Sequence, residues 1–484
     1  MTCEIFVLPH HKRIEAQPGE NLLAVLRREG LTVDAPCGGE GTCGKCRVTL
    51  DGVSALACGV SVERNMTVLL PQQGQQVVLT DGVSVKNAAP SAAEGALLAV
   101  DIGTTTVAVY LLDGATGAQL ACASAANPQR AWGADVISRL RAAREGQGEA
   151  LTAAIRRCLG DMVTDLCCDA GVEPEDIRVV SVVGNPAMQQ LFLGLPTDNL
   201  TAIPFAPVLR EGRTQAAADY LPICQNAELL IVPDISGFVG ADTVAAVLAS
   251  QLHLREETAL LVDIGTNGEM VMKSRGRMAA CSTAAGPALE GAGIRFGMPG
   301  RPGAIDHVWL EAGEVKCSVI GGENAVGICG SGIVDAVAVA LDMGWLNKRG
   351  KILRADGIIP LTGQIFLTQE DIRQVQLAKG AIAAGIELSA QQLGIALAEV
   401  EEVYLAGAFG TYMDPVSACR IGLLPPILLD KIRAVGNAAG SGARLLAADE
   451  EALKRADDLV NAVEFVELAS MPRFRRCFAK NMEF

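Results

Sequence analysis

Four cysteines near the N-terminus have the spacing of ligands for a single iron–sulfur cluster. Three lie in the string CGGEGTCGKC, separated by five and then two residues, and the fourth follows eleven residues later: Cys37, Cys43, Cys46 and Cys58. All four ligands of a 2Fe–2S cluster can be thiolates, and the glycines would let the backbone wrap closely around it. The alternatives are a chance grouping or a zinc site, which usually needs two short Cys-x-x-Cys-like pairs, whereas this segment contains one. The spacing favours the cluster.

Two nearly identical strings further along the chain predict a phosphate site. LLAVDIGTTTVAVYLL (97–112) and ALLVDIGTNGEMVMKS (259–274) each predict an apolar strand, a glycine turn with hydroxyl residues, and a second strand. Amides and hydroxyls that converge in such a hairpin can hold phosphate oxygens. Asp101 and Asp263 end the first strand of each copy, and a carboxylate beside phosphate makes sense if Mg²⁺ lies between them. Two such hairpins across a cleft would clamp the phosphates of ATP.

A third motif, LAGAFGTYMD (405–414), is a glycine loop after a buried strand. Its small residues would let an adenosine lie against the backbone. A lone DIGT string is usually an ordinary strand end, but two copies followed by this loop form a specific pattern. VVSVVGNPAMQQLF (179–192) and VYLAGAFGTYMDP (403–415) form a second similar pair, which indicates an internal duplication and two α/β subdomains around a cleft.

These motifs imply a division of the chain into four parts. Residues 1–80 alternate short strands with one amphipathic helix and predict a small α+β domain, and residues 81–96 are small and polar, as in a linker. Residues 97–258 and 259–484 are the two predicted subdomains. Glu290, in the string GPALEG, could lie in the cleft or be an ordinary exposed charge. The sequence does not choose between these positions.

The composition limits which classes of partner the chain is expected to bind and which cellular compartment it is expected to occupy. The net charge of −15 without a basic block argues against nucleic acid and against an anionic membrane surface. No apolar run approaches the length needed to span a bilayer, and charged residues interrupt the early apolar stretch where a secretion signal would lie. With fifteen cysteines, the chain is expected in a reducing cytoplasm.

The three later motifs resemble the two phosphate motifs and the adenosine motif of the superfamily of actin, heat-shock chaperone ATPases, and sugar and acetate kinases. The N-terminal segment resembles a β-grasp ferredoxin. Joined in one chain, the two parts are similar to the reductive activators of corrinoid proteins, which serve cobalamin-dependent methyltransferases in anaerobes. Strings typical of that family occur along nearly the whole chain: VDIGTTT, VVGNPAM, PDISGFVGAD, VDIGTNGE, STAAGPALEGAGI, ICGSGIVD and LAGAFG. Longer members carry an additional domain after the ferredoxin part, where this chain has only the short linker.

The resemblance implies an α+β ferredoxin-like β-grasp domain, followed by a duplicated α/β RNase H-like (actin-like ATPase) domain with a nucleotide cleft. It implies that the four cysteines hold the cluster, and it matches three sets of residues to the nucleotide motifs: Asp101, Gly103, Thr104 and Thr105; Asp263, Gly265, Thr266 and Asn267; Gly407, Ala408 and Gly410. Asp101 is expected to contact Mg²⁺ indirectly. Asp263 is expected either to contact Mg²⁺ or to orient the attacking water.

The implied activity is ATP-dependent reduction of a protein-bound corrinoid from Co(II) to Co(I), with electrons passing through the 2Fe–2S cluster. The implied partners are a corrinoid protein of a methyltransferase system and a low-potential electron donor, and a homodimer is one assembly open to the chain. Two other activities are compatible with an ATP cleft: a redox-regulated small-molecule kinase, and an activator of another low-potential enzyme such as a 2-hydroxyacyl-CoA dehydratase. A nucleotide-dependent binding module without turnover is a further alternative.

Overall fold

A computed structural model describes residues 2–31, 33, 35, 37–41, 45–71, 82, 95–322 and 324–484. Of the linker predicted at 81–96, only residues 82, 95 and 96 are described, and the others lie outside the described residues. Cys43, one of the four predicted cluster ligands, also lies outside them. Three main sheets organise the described part of the chain.

The first sheet forms the N-terminal domain, in the order β2-β1-β5-β3-β4. Its elements are β1 (Cys3–Leu8), β2 (Lys12–Ala16), α1 (Leu22–Arg28), β3 (Arg47–Leu50), β4 (Val53–Leu56) and β5 (Met66–Leu69). The helix α1 begins where the Asn21 side chain accepts a hydrogen bond from the Ala24 amide, and its apolar face is buried against the sheet. The parallel pair β1–β5 and the packed helix make this the β-grasp arrangement predicted from the sequence.

The second sheet has the order β10-β11-β9-β6-β7-β8. Its strands are β6 (Ala96–Ile102), β7 (Thr106–Asp113), β8 (Gln119–Ala126), β9 (Ile177–Gly184), β10 (Arg213–Ala216) and β11 (Glu228–Ile231). The helices of this half are α2 (Val136–Ala142), α3 (Gly148–Ala170), α4 (Pro186–Leu193) and α5 (Ala241–Ser250). The run ALLAVDI is apolar on both faces because β6 lies inside the sheet, covered on both sides.

The third sheet repeats this plan in the order β21-β20-β12-β13-β14-β22. The strands of this half are β12 (Ala259–Ile264), β13 (Gly268–Ser274), β14 (Arg277–Thr283), β15 (Ala304–Glu311), β16 (Glu314–Val319), β17 (Gly327–Ile328), β18 (Ile358–Pro360), β19 (Phe366–Thr368), β20 (Glu402–Ala406), β21 (Ile432–Gly436) and β22 (Val463–Phe465). The helices are α6 (Gly330–Asp342), α7 (Gln369–Leu393), α8 (Gly407–Tyr412), α9 (Pro415–Arg420), α10 (Ala438–Ala448), α11 (Ala452–Ala462) and α12 (Phe474–Asn481). Two small sheets, β16-β15-β17 and β18-β19, complete it.

The two large sheets confirm the predicted duplication. In the first, β6 pairs antiparallel with β7 and parallel with β9; in the second, β12 pairs antiparallel with β13 and parallel with β20. Asp101 and Asp263 therefore occupy equivalent places, one residue before the end of the central strand of each sheet. This architecture is the duplicated actin-like fold that the motifs imply.

Two helices, α5 and α10, pack against each other between the two large sheets and connect the two halves. The helix α10 follows β21 of the second sheet but packs against α5 of the first half, so closely that a Cβ on Gly442 would lie 2.1 Å from the carbonyl oxygen of Ala245. The hydroxyl of Ser181 on β9 donates to the carbonyl oxygen of Ala443. None of the helices in the described part of the chain combines the length and the apolar character that crossing a bilayer requires.

Candidate functional site

The described part of the cysteine loop lies against α1. Cys46 is buried just before β3, Cys58 lies in the turn after β4, and their Sγ atoms are 3.2 Å apart. The guanidinium of Arg27 on α1 donates to the carbonyl oxygen of Gly38 over 3.1 Å. Burial lowers the pKa of Arg27, and the charges of three cysteines oppose that effect: Cys46, Cys37 and Cys58. Three of the four predicted ligands therefore lie close enough to Arg27 to interact with its charge.

The backbone of this loop adopts conformations that glycine favours. Gly39 has a φ of +107°, and a Cβ there would lie 3.2 Å from Leu23 Cδ2 and 3.9 Å from the Cβ of Cys58. Among the residues that the structure describes, no three His, Cys, Asp or Glu side chains are gathered as a complete metal site. With Cys43 outside those residues, the thiol set and its close-wrapping loop fit the predicted 2Fe–2S cluster.

A cavity of about 1960 Å³ lies beside the cysteine loop, between the N-terminal domain and the first half of the ATPase-like part. Cys37 lines it, and Trp132 on the opposite wall has its ring 5.7 Å from the guanidinium carbon of Arg27. Several arginines from both sides line it: Arg27, Arg28, Arg130, Arg141, Arg157 and Arg301. Four acidic residues also line it, Glu40, Glu145, Asp161 and Asp165, so arginines exceed acids by six to four in a chain whose net charge is −15.

Polar side chains of the first half brace the first phosphate hairpin. The Asn127 amide donates to the carbonyl oxygen of Gly103 over 2.8 Å, and the Asn185 amide donates to the Thr104 hydroxyl over 3.0 Å. Arg139, which is fully buried, donates to the carbonyl oxygen of Thr104, and burial lowers its pKa to about 9. These three side chains hold the turn that is predicted to bind phosphate.

A single carboxylate joins this hairpin to the second one. Oε2 of Glu290 accepts a hydrogen bond of 2.9 Å from the Thr105 hydroxyl and one of 3.1 Å from the Thr266 hydroxyl. Asn267 closes the second turn, since its carbonyl oxygen accepts from the amide of Gly265 over 2.9 Å. The two predicted phosphate motifs thus face each other across a cleft, with Glu290 at their meeting point.

The predicted adenosine loop lies directly beside the second hairpin. The parallel pairing of β20 with β12 places Ala406 next to Asp263, and Gly407 follows with a φ of +82°. A Cβ on Gly407 would lie 2.6 Å from Oδ1 of Asp263, so this position requires glycine. Gly410 is buried against Leu405 and Ala408 is exposed, which leaves an open backbone surface at the start of α8.

Several carboxylates near the two hairpins are buried, and burial raises their pKa values. Burial raises the pKa of Asp101 to about 7, opposed by a 2.9 Å hydrogen bond from the Asn437 amide. Burial, followed by the charge of Asp242, also raises the pKa of Asp263 to about 7. The pKa of Asp242, in the first turn of α5, is itself raised to about 6 by burial. A cation bound nearby would favour the ionised forms of these carboxylates.

Asp234 is a further buried carboxylate, close to Asp242. It is 1 % exposed, and the backbone amide of Ala241 lies close enough to favour its ionised form. Burial and the charge of Asp242 raise its pKa well above the usual range. Because no three acids meet at one point among the residues described, a Mg²⁺ ion here would take one or two protein oxygens and complete its shell with phosphate and water.

Sequence reasoning identified the hairpins and the glycine loop, left the position of Glu290 open, and missed two neighbours, Asp242 and Asn437. Asp242 lies in PDISGFVGAD and Glu290 in STAAGPALEGAGI, both of which contributed to the family resemblance. Asn437 carries no motif, and its only local signal is that it caps α10 through the amide of Gly440.

Comparisons with known proteins agree with this geometry. Three family models match in order: "2Fe-2S iron-sulfur cluster binding domain" at 5–65, "RACo middle region" at 97–255, and "C-terminal domain of RACo the ASKHA domain" at 257–484. The family's middle region is thus present, at the residues predicted here as the first ATPase subdomain. A solved structure titled "Reductive activator for corrinoid,iron-sulfur protein" superposes with a TM-score of 0.74 at 26% identity, covering 100% of this chain and 98% of that one.

Two curated relatives carry related names. The corrinoid activation enzyme RamQ of Eubacterium limosum is 37% identical over 416 residues, which span 80% of this chain and 70% of the relative. The [Co(II) methylated amine-specific corrinoid protein] reductase of Methanosarcina barkeri is 31% identical over 318 residues, which span 59% of this chain and 57% of the relative. The chain therefore belongs to the RACo family, in which a 2Fe–2S domain precedes a middle region and a C-terminal ASKHA domain.

Proposed function

We propose that this protein uses ATP to drive the reduction of a partner protein's corrinoid from Co(II) to Co(I), with the electron passing through its own 2Fe–2S cluster. One observation carries the proposal: a cysteine loop and a two-hairpin nucleotide cleft are built into one chain, whose relatives are named as corrinoid activators and reductases. A kinase needs no cluster, and no feature of the described residues favours that alternative.

When bound, the 2Fe–2S cluster supplies single electrons at low potential, about −400 mV in plant-type ferredoxins. Cys37, Cys46 and Cys58, together with Cys43, are the proposed ligands. The charge of Arg27 beside them favours the more negative, reduced form. Each ~59 mV by which the cobalt is harder to reduce costs about 1.4 kcal/mol for one electron, an amount that nucleotide binding or hydrolysis can offset.

The cleft residues bind the nucleotide in this proposal. The hydroxyls and amides of Thr104, Thr105 and Thr266 hold phosphate oxygens, and the loop that starts at Gly407 receives the adenosine. Burial raises the pKa values of Asp263 and Asp101, and a bound Mg²⁺ would stabilise their ionised forms. Closure of the two halves around ATP would be the movement that the partner senses.

The remaining partners follow from the chemistry. A low-potential donor must refill the cluster, and the cavity beside Cys37, where arginines outnumber acids, gives an acidic redox protein a place to approach. We place the protein in a reducing cytoplasm, in agreement with its fifteen cysteines.

An anaerobic assay tests the proposal. The protein is mixed with a Co(II) corrinoid protein of a methyltransferase system and a low-potential reductant, and the cobalt absorbance is followed with and without Mg²⁺ and ATP. We expect Co(I) to appear only with Mg-ATP, and to be lost in the Asp263→Ala protein. Consumption of ATP without Co(I), across several corrinoid proteins, would contradict the proposal and favour a kinase or another reductive activator.

A further inference from the structure

We propose that Glu290 orients the water that attacks the terminal phosphate of ATP, leaving Asp263 to the cation. This inference rests on the proposed function, since it assigns a step at the same nucleotide cleft. Glu290 belongs to the turn Pro287–Glu290 between β14 and β15, outside both phosphate hairpins.

The first argument is position. The Thr105 and Thr266 hydroxyls, separated by 161 residues in the chain, both donate to the same Oε2 atom of Glu290. These are the hydroxyls that the motifs assign to phosphate oxygens. Glu290 is the one carboxylate among the described residues that is hydrogen-bonded to both hairpins, so it lies where the terminal phosphate would meet them.

The second argument is electrostatic. A phosphate oxygen and the Glu290 carboxylate cannot both accept from these hydroxyls, because each hydroxyl has one hydrogen to donate and two anions at that separation repel each other. When phosphate enters, the hydroxyls turn towards it and the carboxylate has to rotate aside. A carboxylate that lies beside the phosphate, and is no longer held by the hydroxyls, is a suitable acceptor for a proton from water.

The third argument is the rigidity of the turn. A Cβ on Gly330 would lie 1.9 Å from the carbonyl oxygen of Leu289, so α6 packs directly on the turn. Gly291 has a φ of +81°, and a Cβ there would lie 2.6 Å from the amide nitrogen of Met298. The backbone around Glu290 is therefore fixed on both sides. Displacement by phosphate moves the side chain alone, which keeps the carboxylate within reach of the reacting phosphorus.

The other carboxylates of the cleft are less suited to this role. Asp101 and Asp263 end the central strands, and Asp263 touches the position of Gly407 below the adenosine loop. Glu269 accepts a 3.0 Å hydrogen bond from the Ser282 hydroxyl on β14, and Asp234 is enclosed. Of the described acids, Glu290 is the one that contacts hydroxyls from both phosphate motifs.

The step balances as a hydrolysis. The oxygen of water forms a bond to the terminal phosphorus, and the bond from that phosphorus to the bridging oxygen of ADP breaks. The bridging oxygen leaves with the electron pair, and Glu290 accepts the proton that the water loses. Inorganic phosphate and ADP are the products, and no other reactant is needed.

The test is the Glu290→Gln protein, whose amide oxygen can still accept from the hairpin hydroxyls but is far less basic. We expect Mg-ATP to bind with unchanged or tighter affinity, measured by titration calorimetry, while the turnover number for hydrolysis falls about 100-fold or more. Glu290→Asp should retain part of the activity. Glu314→Gln, an exposed glutamate on β16, is the matched control and should hydrolyse ATP like the unmodified protein.

Three results would overturn the inference. Hydrolysis by Glu290→Gln at the normal rate would show that the carboxylate takes no part. A loss of nucleotide affinity that accounts for the whole loss of activity would make Glu290 a structural clamp. If Glu290→Gln does not fold, an unchanged pH–rate profile in Glu290→Asp would contradict the role of proton acceptor. Each outcome is separate from a failure of the proposed function, in which the unmodified protein would bind ATP without reducing cobalt.

Discussion

The substitution Gly407→Ala tests the adenosine loop against the geometry of Asp263. Gly407 has a φ of +82°, a conformation that costs a residue with a Cβ about 1–2 kcal/mol. The added Cβ would also lie 2.6 Å from Oδ1 of Asp263, closer than real Cβ atoms approach other heavy atoms. The loop or the carboxylate must therefore shift, and both belong to the proposed nucleotide site.

A matched control separates the cost of the backbone conformation from the cost of the close contact with Asp263. Gly171, the C-cap of α3, has a φ of +65°, and a Cβ there would meet nothing within 4 Å. Gly171→Ala should lose about as much stability through its backbone conformation and keep its nucleotide affinity. In Gly407→Ala, the close contact with Asp263 adds a strain of about 1–2 kcal/mol that only a movement of the loop can relieve. This strain corresponds to about 5–30-fold weaker binding of Mg-ATP.

The assay combines thermal unfolding with calorimetric titration of Mg-ATP for the two variants and the unmodified protein. We expect similar losses of melting temperature in both variants and weaker binding in Gly407→Ala alone. Binding by Gly407→Ala as tight as in the unmodified protein would refute the placement of the nucleotide against this loop. An equal loss of affinity in Gly171→Ala would show that general destabilisation, and not the clash, controls binding.

Three further predictions concern pH, the cluster ligands and the cluster potential. Because burial raises the pKa of Asp101 and Asp263 to about 7 and a cation binds the ionised forms, Mg-ATP affinity should rise between pH 6 and pH 8; calorimetry showing a flat profile would contradict this. Cys58→Ser should lose the visible absorbance of the cluster and most bound iron while still binding ATP, whereas Cys168→Ser, at an exposed cysteine on α3, should keep its iron; equal iron contents would exclude Cys58 as a ligand. Arg27→Gln should lower the reduction potential by on the order of tens of millivolts, since it removes a cation that stabilises the reduced cluster; a redox titration showing an unchanged or higher potential would contradict this.

Local signals made the fold and much of the candidate site predictable. The strings around Asp101 and Asp263 combine a buried strand with a glycine turn, and their repetition predicted two equivalent sheets. The glycine loop at Gly407 was recognisable from its small residues after a buried strand, and the structure adds a further reason for glycine, since Gly407 passes closely by Asp263. In each case, the residues of one short segment are enough to predict its local structure.

The residues that the sequence missed or left open depend on packing between distant segments. Asn437 reaches Asp101 across 336 residues, and it does so because α10 crosses from the second half to pack on α5 of the first. Glu290 meets Thr105 across 185 residues through the association of the two halves. Neither contact follows from the periodicity or composition of its own segment, since only the assembled cleft brings these side chains together.

The most direct test follows the electron in a single anaerobic experiment. The protein is reduced in advance, freed of reductant and mixed with excess Co(II) corrinoid protein. Mg-ATP is then added while the signal of the reduced cluster in electron paramagnetic resonance and the absorbance of Co(I) are recorded. The account predicts that, only after ATP is added, the cluster is oxidised and Co(I) appears in equal amount. Co(I) that forms while the cluster stays reduced, or that forms equally well without ATP, would contradict it.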